Sequence, residues 1–346
     1  MAETKDQIQT RMLSNIDDSY DKSEGSFFYD ATKPVAIELE LKDAEINAAL
    51  DRGFATTAEA EYLDRKVSEQ GVIRKPSTKA TGPVTITGQP GTVIELSMKV
   101  ASDGATYSFI TETVIDGTTM ETVTVECDAY GSIGNAPVGA VKYFPITISG
   151  LSAVVNTEAF TNGYDGEGDD ELRERYFEKV RTPPTSGNKY HYKNWAKEVV
   201  GVGDARIFPL WAGNGTVKVV IVDSNRQPAS EQLVTDVTDH IEDERPIGAT
   251  VTVVSATSKS INVTLHLTIS GGYTEEQVLA SIQANLILYF KEIAFVETYV
   301  SYARIGSLIL ASAGVLDYTI LTVNTGTTNI AVADTEVATL GTVTLT

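Results

Sequence analysis

Cysteine occurs once, at Cys127, and histidine three times, at His191, His240 and His266. One thiol cannot close an intrachain disulfide, and three scattered imidazoles are too few for a zinc or non-haem iron centre. No cofactor is expected. Positive charge is scarce too: 27 Lys and Arg stand against 47 Asp and Glu, a formal net charge of −20. A surface of that sign repels a phosphate backbone, which excludes nucleic acid as a partner class. Long apolar runs are missing. The most apolar helical stretch, Leu308 to Leu316, is interrupted by Ser312 and Gly314, far short of the roughly 20 residues a bilayer span requires. The opening, Met1-Ala2-Glu3-Thr4-Lys5-Asp6, has no apolar signal region, so synthesis in a cytoplasm without membrane insertion is expected.

What is present is ordinary globular material: 346 residues, 42% hydrophobic and 21% charged, enough for two to three domains. The fold class expected is α+β and multidomain. Residues 1–75 read as an N-terminal helical region, 76–160 as an antiparallel β module, 161–256 as a middle α/β domain and 257–346 as a C-terminal α/β domain. In the first region Ile8, Met12 and Ile16 have helical spacing, and a polar break follows at Asp21 to Gly25. Thr32 is the expected cap of a longer helix, with Pro34 in its first turn and Val35 to Phe54 as its body. At about 100° per residue, Ile37, Leu41, Ala44 and Ala48 share one face, while Val35, Leu39, Ile46 and Leu50 share roughly the opposite one. Glu38, Glu40, Glu45 and Asp51 fill the strips between. Such a helix is either central to its own domain or part of a bundle shared with another chain. The short helices beside it supply few large apolar residues, which favours the shared bundle.

From Gly82 to about Ile148 the period becomes two, with Val84-Thr-Ile86, Tyr107-Ser-Phe109 and Val123-Thr-Val125 between turn residues. Adhesins and glycan-binding modules also use Thr-rich strands, so a β-rich cell-surface adhesin or glycan-binding module stays open as an alternative. Such a module needs several exposed coplanar aromatic rings, and this segment has few. Beyond Asn162 helix and strand alternate. Asp169-Asp170-Glu171 opens a helix that Pro183-Pro184 ends, its carboxylates expected to meet the helix's own free amides. The runs Trp195 to Ile207 and Leu308 to Ile320 both read helix, Gly-Val, strand, which suggests two related subdomains.

No local pattern marks an enzyme. The acidic run from Asp165 fails as a calcium loop because its sixth position is Asp170 and its twelfth Tyr176. Gly201-Val-Gly203 leads from helix into strand, the reverse of a dinucleotide fingerprint, and Gly213-Asn-Gly215-Thr216 lacks the lysine of a phosphate loop and reads as a hairpin turn. Neither a Gly-x-Ser-x-Gly elbow nor a His-Glu-x-x-His helix occurs. An unmarked carboxylate pair would leave a hydrolase as a third hypothesis. Trp195 and Trp211 read as core anchors, with a subunit interface as the minority use of either.

One stretch carries a family signature. Asn156-Thr-Glu-Ala-Phe-Thr-Asn162-Gly163-Tyr-Asp165-Gly-Glu167-Gly-Asp169-Asp170-Glu171-Leu-Arg173-Glu-Arg175 resembles the most typical segment of the baseplate J-like family, wedge proteins of contractile phage tails and tail-derived bacteriocins. Pro184, Gly187-Asn188, Tyr192, Trp195, Gly201-Val202, Pro209, Gly213 to Val217 and Pro246-Ile-Gly248-Ala249 continue the match in order, and Arg74-Lys75, Ala80-Thr-Gly82, Gly91-Thr92 and Gly131 to Asn135 precede it. The resemblance implies a structural, non-enzymatic wedge subunit in the baseplate of a virion or tail-like particle, assembled in the host bacterial cytoplasm. It implies pairing with a second copy of itself and with a different wedge subunit, contacts to neighbouring wedges and to the sheath initiator or sheath, and a ring that couples receptor engagement to sheath contraction. On that reading Asn162, Gly163, Asp165, Glu167, Asp169 and Arg173 shape the entrance to the middle domain, and Trp195 locks its first helix.

Overall fold

The computed structural model describes residues 3–116, 119–181 and 187–346; Pro183 and Pro184, expected to stop a helix, lie outside them. The chain divides into two compact units, one made of Met1–Arg74 and Glu167–Thr182, the other of Lys75–Gly166 and Pro183–Thr346. Along the sequence it therefore passes from one unit to the other three times.

The first unit is helical: α1 (Lys5–Ser14), α2 (Phe27–Gly53), α3 (Ala60–Ser68) and α4 (Asp169–Arg181). A reciprocal capping box between Thr4 and Gln7 starts α1. The start of α2 corrects the sequence expectation. Ser26, not Thr32, is the cap, accepting the Tyr29 N–H at 3.3 Å. Thr32 sits inside the helix and turns its hydroxyl back to the Phe28 carbonyl. Pro34 is also interior and brings no N–H to the turn before it, a local loss that a helix of 27 residues, about 40 Å, outlasts. Ala55, Ala58, Leu63, Val67, Val72 and Leu172 form this unit's core, flanked by Tyr62, Tyr176 and Phe177. Leu172 comes from α4, so that core is closed by residues remote in sequence.

In the second unit β1 (Lys79–Gly88), β2 (Val93–Ile94), β3 (Lys99–Ala101), β4 (Thr106–Phe109), β5 (Thr113–Val114), β6 (Met120–Tyr130) and β7 (Leu151–Val155) build the β module. Five of them form an antiparallel sheet in the order β3-β4-β6-β1-β7, and β2 pairs with β5. Period-two alternation puts Val84, Ile86, Val123, Val125 and Cys127 into one core with Tyr107 and Phe160, whose rings meet edge-on at 5.6 Å. Tyr107 and Phe109 are thus spent on packing rather than offered as a stacking platform.

The middle subdomain follows as α5 (Lys189–Glu198), β8 (Val202–Pro209), β9 (Thr216–Asp223), α6 (Glu231–Glu244) and β10 (Thr250–Ser255). Asn188 and Ser230 cap its helices. The last third is β11 (Thr257–Ile269), α7 (Glu275–Ile293), β12 (Tyr299–Val300), α8 (Tyr302–Leu310), β13 (Val315–Val323), β14 (Ile330–Ala331) and β15 (Glu336–Leu345), with Thr274 capping α7. Each sheet has three strands and a central one with one antiparallel and one parallel neighbour: β8 and β10 around β9, β13 and β15 around β11. The order of elements along the chain differs, however. Gly201 and Gly314, at φ 96° and 84°, turn the chain from helix to strand in both, although each helix stops a few residues earlier. Both faces of β9 are covered. Val219 and Ile221 pack toward α5 and α6, while Val220 and Val222 share a small core with Ala256 and with Ala294 and Val337 of the final third.

Candidate assembly site

Two features gather the residues singled out by sequence: α2, and the segment from Asn162 to Arg173. On α2 the one buried residue is Ala36. It lies on the strip shared with Tyr29, whose carbonyl accepts from Gln9 Nε2 of α1 at 2.9 Å. Ile8 and Gln9 are buried against this strip. The two apolar stripes flank it and stay open. Val35, Leu39, Ile46 and Leu50 on one, and Ile37 and Leu41 on the other, are 38–59% exposed; Ala44 is exposed and Ala48 half-buried. Among the described residues, none buries either stripe.

The 162–173 segment is anchored in two halves. Asn162 trades bonds with Thr81: its Nδ2 donates to the threonine hydroxyl at 2.6 Å and its Oδ1 accepts the Thr81 N–H at 2.8 Å. Gly163 is bracketed by Asn135, which accepts its N–H and donates to its carbonyl. A Cβ there would lie 2.5 Å from the Gly131 carbonyl, so only glycine fits. Asp165 accepts the N–H and hydroxyl of Ser132 at 2.9 and 2.8 Å. All three belong to the second unit. Past Gly166 the partners belong to the first. Glu167 forms a bidentate pair with Arg175, both bonds 2.7 Å, and its carbonyl accepts from Arg74. Arg173 donates to the carbonyls of Ala55 and Ala58, both at 2.9 Å, and to Asp170.

Asp169 does not serve its own helix as expected. It accepts the Ala60 N–H at 2.8 Å and pairs with Arg74 at 2.6 Å, capping α3, whose own cap position Glu59 makes no such bond. The Ala60 N–H and the Arg74 guanidinium hold its carboxyl below the usual carboxylate range. Trp195 is buried in α5, stacked on His191 at 4.4 Å and edge-on to Tyr192 at 5.1 Å. Among the described residues no group of three His, Cys, Asp or Glu side chains could hold a metal ion, and no helix is long and apolar enough to cross a membrane.

Sequence reading gave no site role to Arg74, Asn135, Arg175, Tyr164 or Asp223. Asp223, at the end of β9, is buried near Tyr164, and burial raises its carboxyl to about 7 against the opposing pull of the Gln227 and Asn225 N–H groups. Burial, then the neighbouring Asp223, pushes the Tyr164 hydroxyl up to about 12. The run Asp223-Ser-Asn225-Arg-Gln227 has the composition of a side-chain-capped turn, the one local signal available.

Residues 83–163 match the Baseplate J-like protein barrel domain, 184–255 the Baseplate J-like central domain and 261–346 the Baseplate J-like protein C-terminal domain. The chain is 35% identical over 347 residues to phage-like element PBSX protein XkdT of Bacillus subtilis (strain 168), covering 98% of this chain and 96% of that one. The chain belongs to the baseplate J-like family. Baseplate protein gp47 of Escherichia phage Mu is 31% identical over 252 residues, 69% of each chain. A chain in the cryo-EM structure of the anti-feeding prophage (AFP) baseplate overlaps at 12% identity and a TM-score of 0.42, covering 96% of this chain and 89% of that one. The baseplate J-like protein is a structural wedge subunit of a contractile tail. It acts in the baseplate, in assembly with other baseplate proteins, and its N-terminal helices, antiparallel β sheet and C-terminal α/β subdomains fit the expected fold class.

Proposed function

We propose that α2 enters a helical bundle made with a second copy of the chain and with a different wedge subunit. The observation that carries this reading is the pair of open stripes: Val35, Leu39, Ile46 and Leu50 on one side, Ile37, Leu41, Ala44 and Ala48 on the other. Two opposed stripes need two separate covers, and α1 occupies the strip between them. The four segments 1–75, 76–160, 161–256 and 257–346 act in this reading as bundle, β module, middle and C-terminal parts. The C-terminal part links neighbouring wedges into a ring around the tube, with the sheath initiator or sheath as further contacts. Asn162, Gly163, Asp165, Glu167, Asp169 and Arg173 hold the chain where it passes between units, and Trp195 locks α5. Engagement of a receptor reaches the sheath as a change in those contacts.

Aspartate at Leu39 and Ile46 tests one stripe, and aspartate at Leu41 the other. The variants are expected to fold, because these positions are open in the chain, and to fail in co-purification with the second wedge protein or with a differently tagged second copy. Unchanged co-purification from both stripes, or loss of the isolated chain's own fold, refutes the shared bundle.

A further inference from the structure

One end of the middle sheet collects three large apolar side chains that are about half exposed or more. β8 ends there, β9 and β10 begin there, and α6 finishes beside them. Leu210 is 61% exposed, Trp211 48% and Ile247 106%. Their two loops are tied together: the Thr250 N–H donates to the Gly215 carbonyl at 2.7 Å, and a Cβ on Gly215 would stand 3.3 Å from the Gly248 carbonyl. Leu210 holds its outward pose at φ 58°, a left-handed conformation unfavourable for a branched side chain. Its N–H donates to the Thr216 carbonyl at 2.7 Å and its carbonyl accepts from Gly213, so the hairpin enforces that pose. A glycine would occupy it without strain.

Acids outnumber cations around this patch, where Lys218 Nζ lies over the Trp211 ring, 5.2 Å from its centroid. Glu242, Asp243 and Glu244 fill the last turn of α6, which has no basic residue, and all three are exposed. A helix C-terminus is the negative end of its dipole, so carboxylates are misplaced there for the helix's own stability. Arg245 neutralises Glu242 and donates to the Ala249 carbonyl. Among the described residues Asp243 and Glu244 have no ion-pair partner.

We propose that this end of the middle domain is a docking surface for another protein subunit of the particle, one presenting an apolar pocket rimmed by lysine and arginine. Trp211, Leu210 and Ile247 are the anchors, and the acids at the end of α6 select the charge. A second copy of this chain, at a net charge of −20, would bring like charge to the same rim. The inference goes beyond the bundle reading and does not depend on α2.

The test uses full-length protein carrying a photoreactive benzophenone amino acid at the Ile247 position, in particles assembled in the bacterium that makes them. One other particle protein should cross-link, through a segment that mixes apolar residues with lysine or arginine. Asp243→Lys with Glu244→Lys should cut the yield several-fold. Leu210→Gly should also cut it while leaving the unfolding midpoint unchanged or higher, which a purely structural leucine would not do. Cross-linking no stronger than from the exposed Ile146 position, to a second copy, to an acidic segment, or insensitive to the lysine pair overturns the proposal.

Discussion

Replacing Asp223 by asparagine should make the protein more stable at neutral and alkaline pH, although a buried carboxylate is removed. The folded protein holds this proton more tightly than the unfolded chain does, because burial lifts the carboxyl from 3.8 to about 7. The stabilisation from protonated Asp223 is therefore complete below pH 3.8 and is lost as pH rises through about 7. A rise of about three pH units corresponds to roughly 4 kcal/mol, most of it spent between about pH 5 and pH 8. Asparagine keeps an oxygen for the Gln227 N–H, which Asp223 Oδ1 accepts at 2.7 Å, and carries no charge to desolvate. Denaturant unfolding can be followed by tryptophan fluorescence, since both tryptophans, Trp195 and Trp211, lie in the middle subdomain. The variant's advantage should grow by about 3 kcal/mol from about pH 5 to about pH 8.5. Comparing the two proteins at each pH cancels the titration of carboxylates such as Asp169. Curves that move in parallel across that range would show that Asp223 is ionised in the fold and that the burial argument fails.

Two further outcomes test the packing. Glu167→Gln should cost about 3–5 kcal/mol, because it strands Arg175, whose side chain is 12% exposed, without its counter-charge; a loss under about 1 kcal/mol in chemical unfolding would place the pair among ordinary surface bridges. Gly82→Ala should destabilise by about 1–3 kcal/mol, since the new Cβ would fall 2.0 Å from the Phe160 ring, whereas Gly53→Ala, in open space on α2, should stabilise by up to about 1 kcal/mol. Thermal melts that rank the two variants the other way refute that packing account.

Local rules exposed a large part of this architecture. Period-two alternation marked the β module, and Asn188, Ser230 and Thr274 stand as caps because a short oxygen-bearing side chain before an apolar-periodic run meets free amides wherever the rest of the chain lies. The stripes of α2 were legible for the same reason, as periodicity is a property of one element. What escaped depends on residues far apart. Ser26 outcompeted Thr32 because nothing local forbids a helix from running through Pro34 when its other bonds hold. Asp169 looks like a cap for α4, yet Ala60 and Arg74, about a hundred residues earlier, claim both its oxygens. Asp223 reads as a polar strand end, and only tertiary packing over β9 buries it.

The remote closure of the helical core also dictates an order of events during translation. Leu172, Tyr176 and Phe177 reach the core of α3 only after the whole stretch Lys75–Gly166 has been made, a delay on the order of 10 s at ribosomal rates of ~5–20 residues per second. Throughout that interval the amino-terminal helices lack their last packing layer. A ribosome stalled before it reaches Glu167 should therefore present a nascent chain whose helical core still lacks Leu172, and chaperones should bind it.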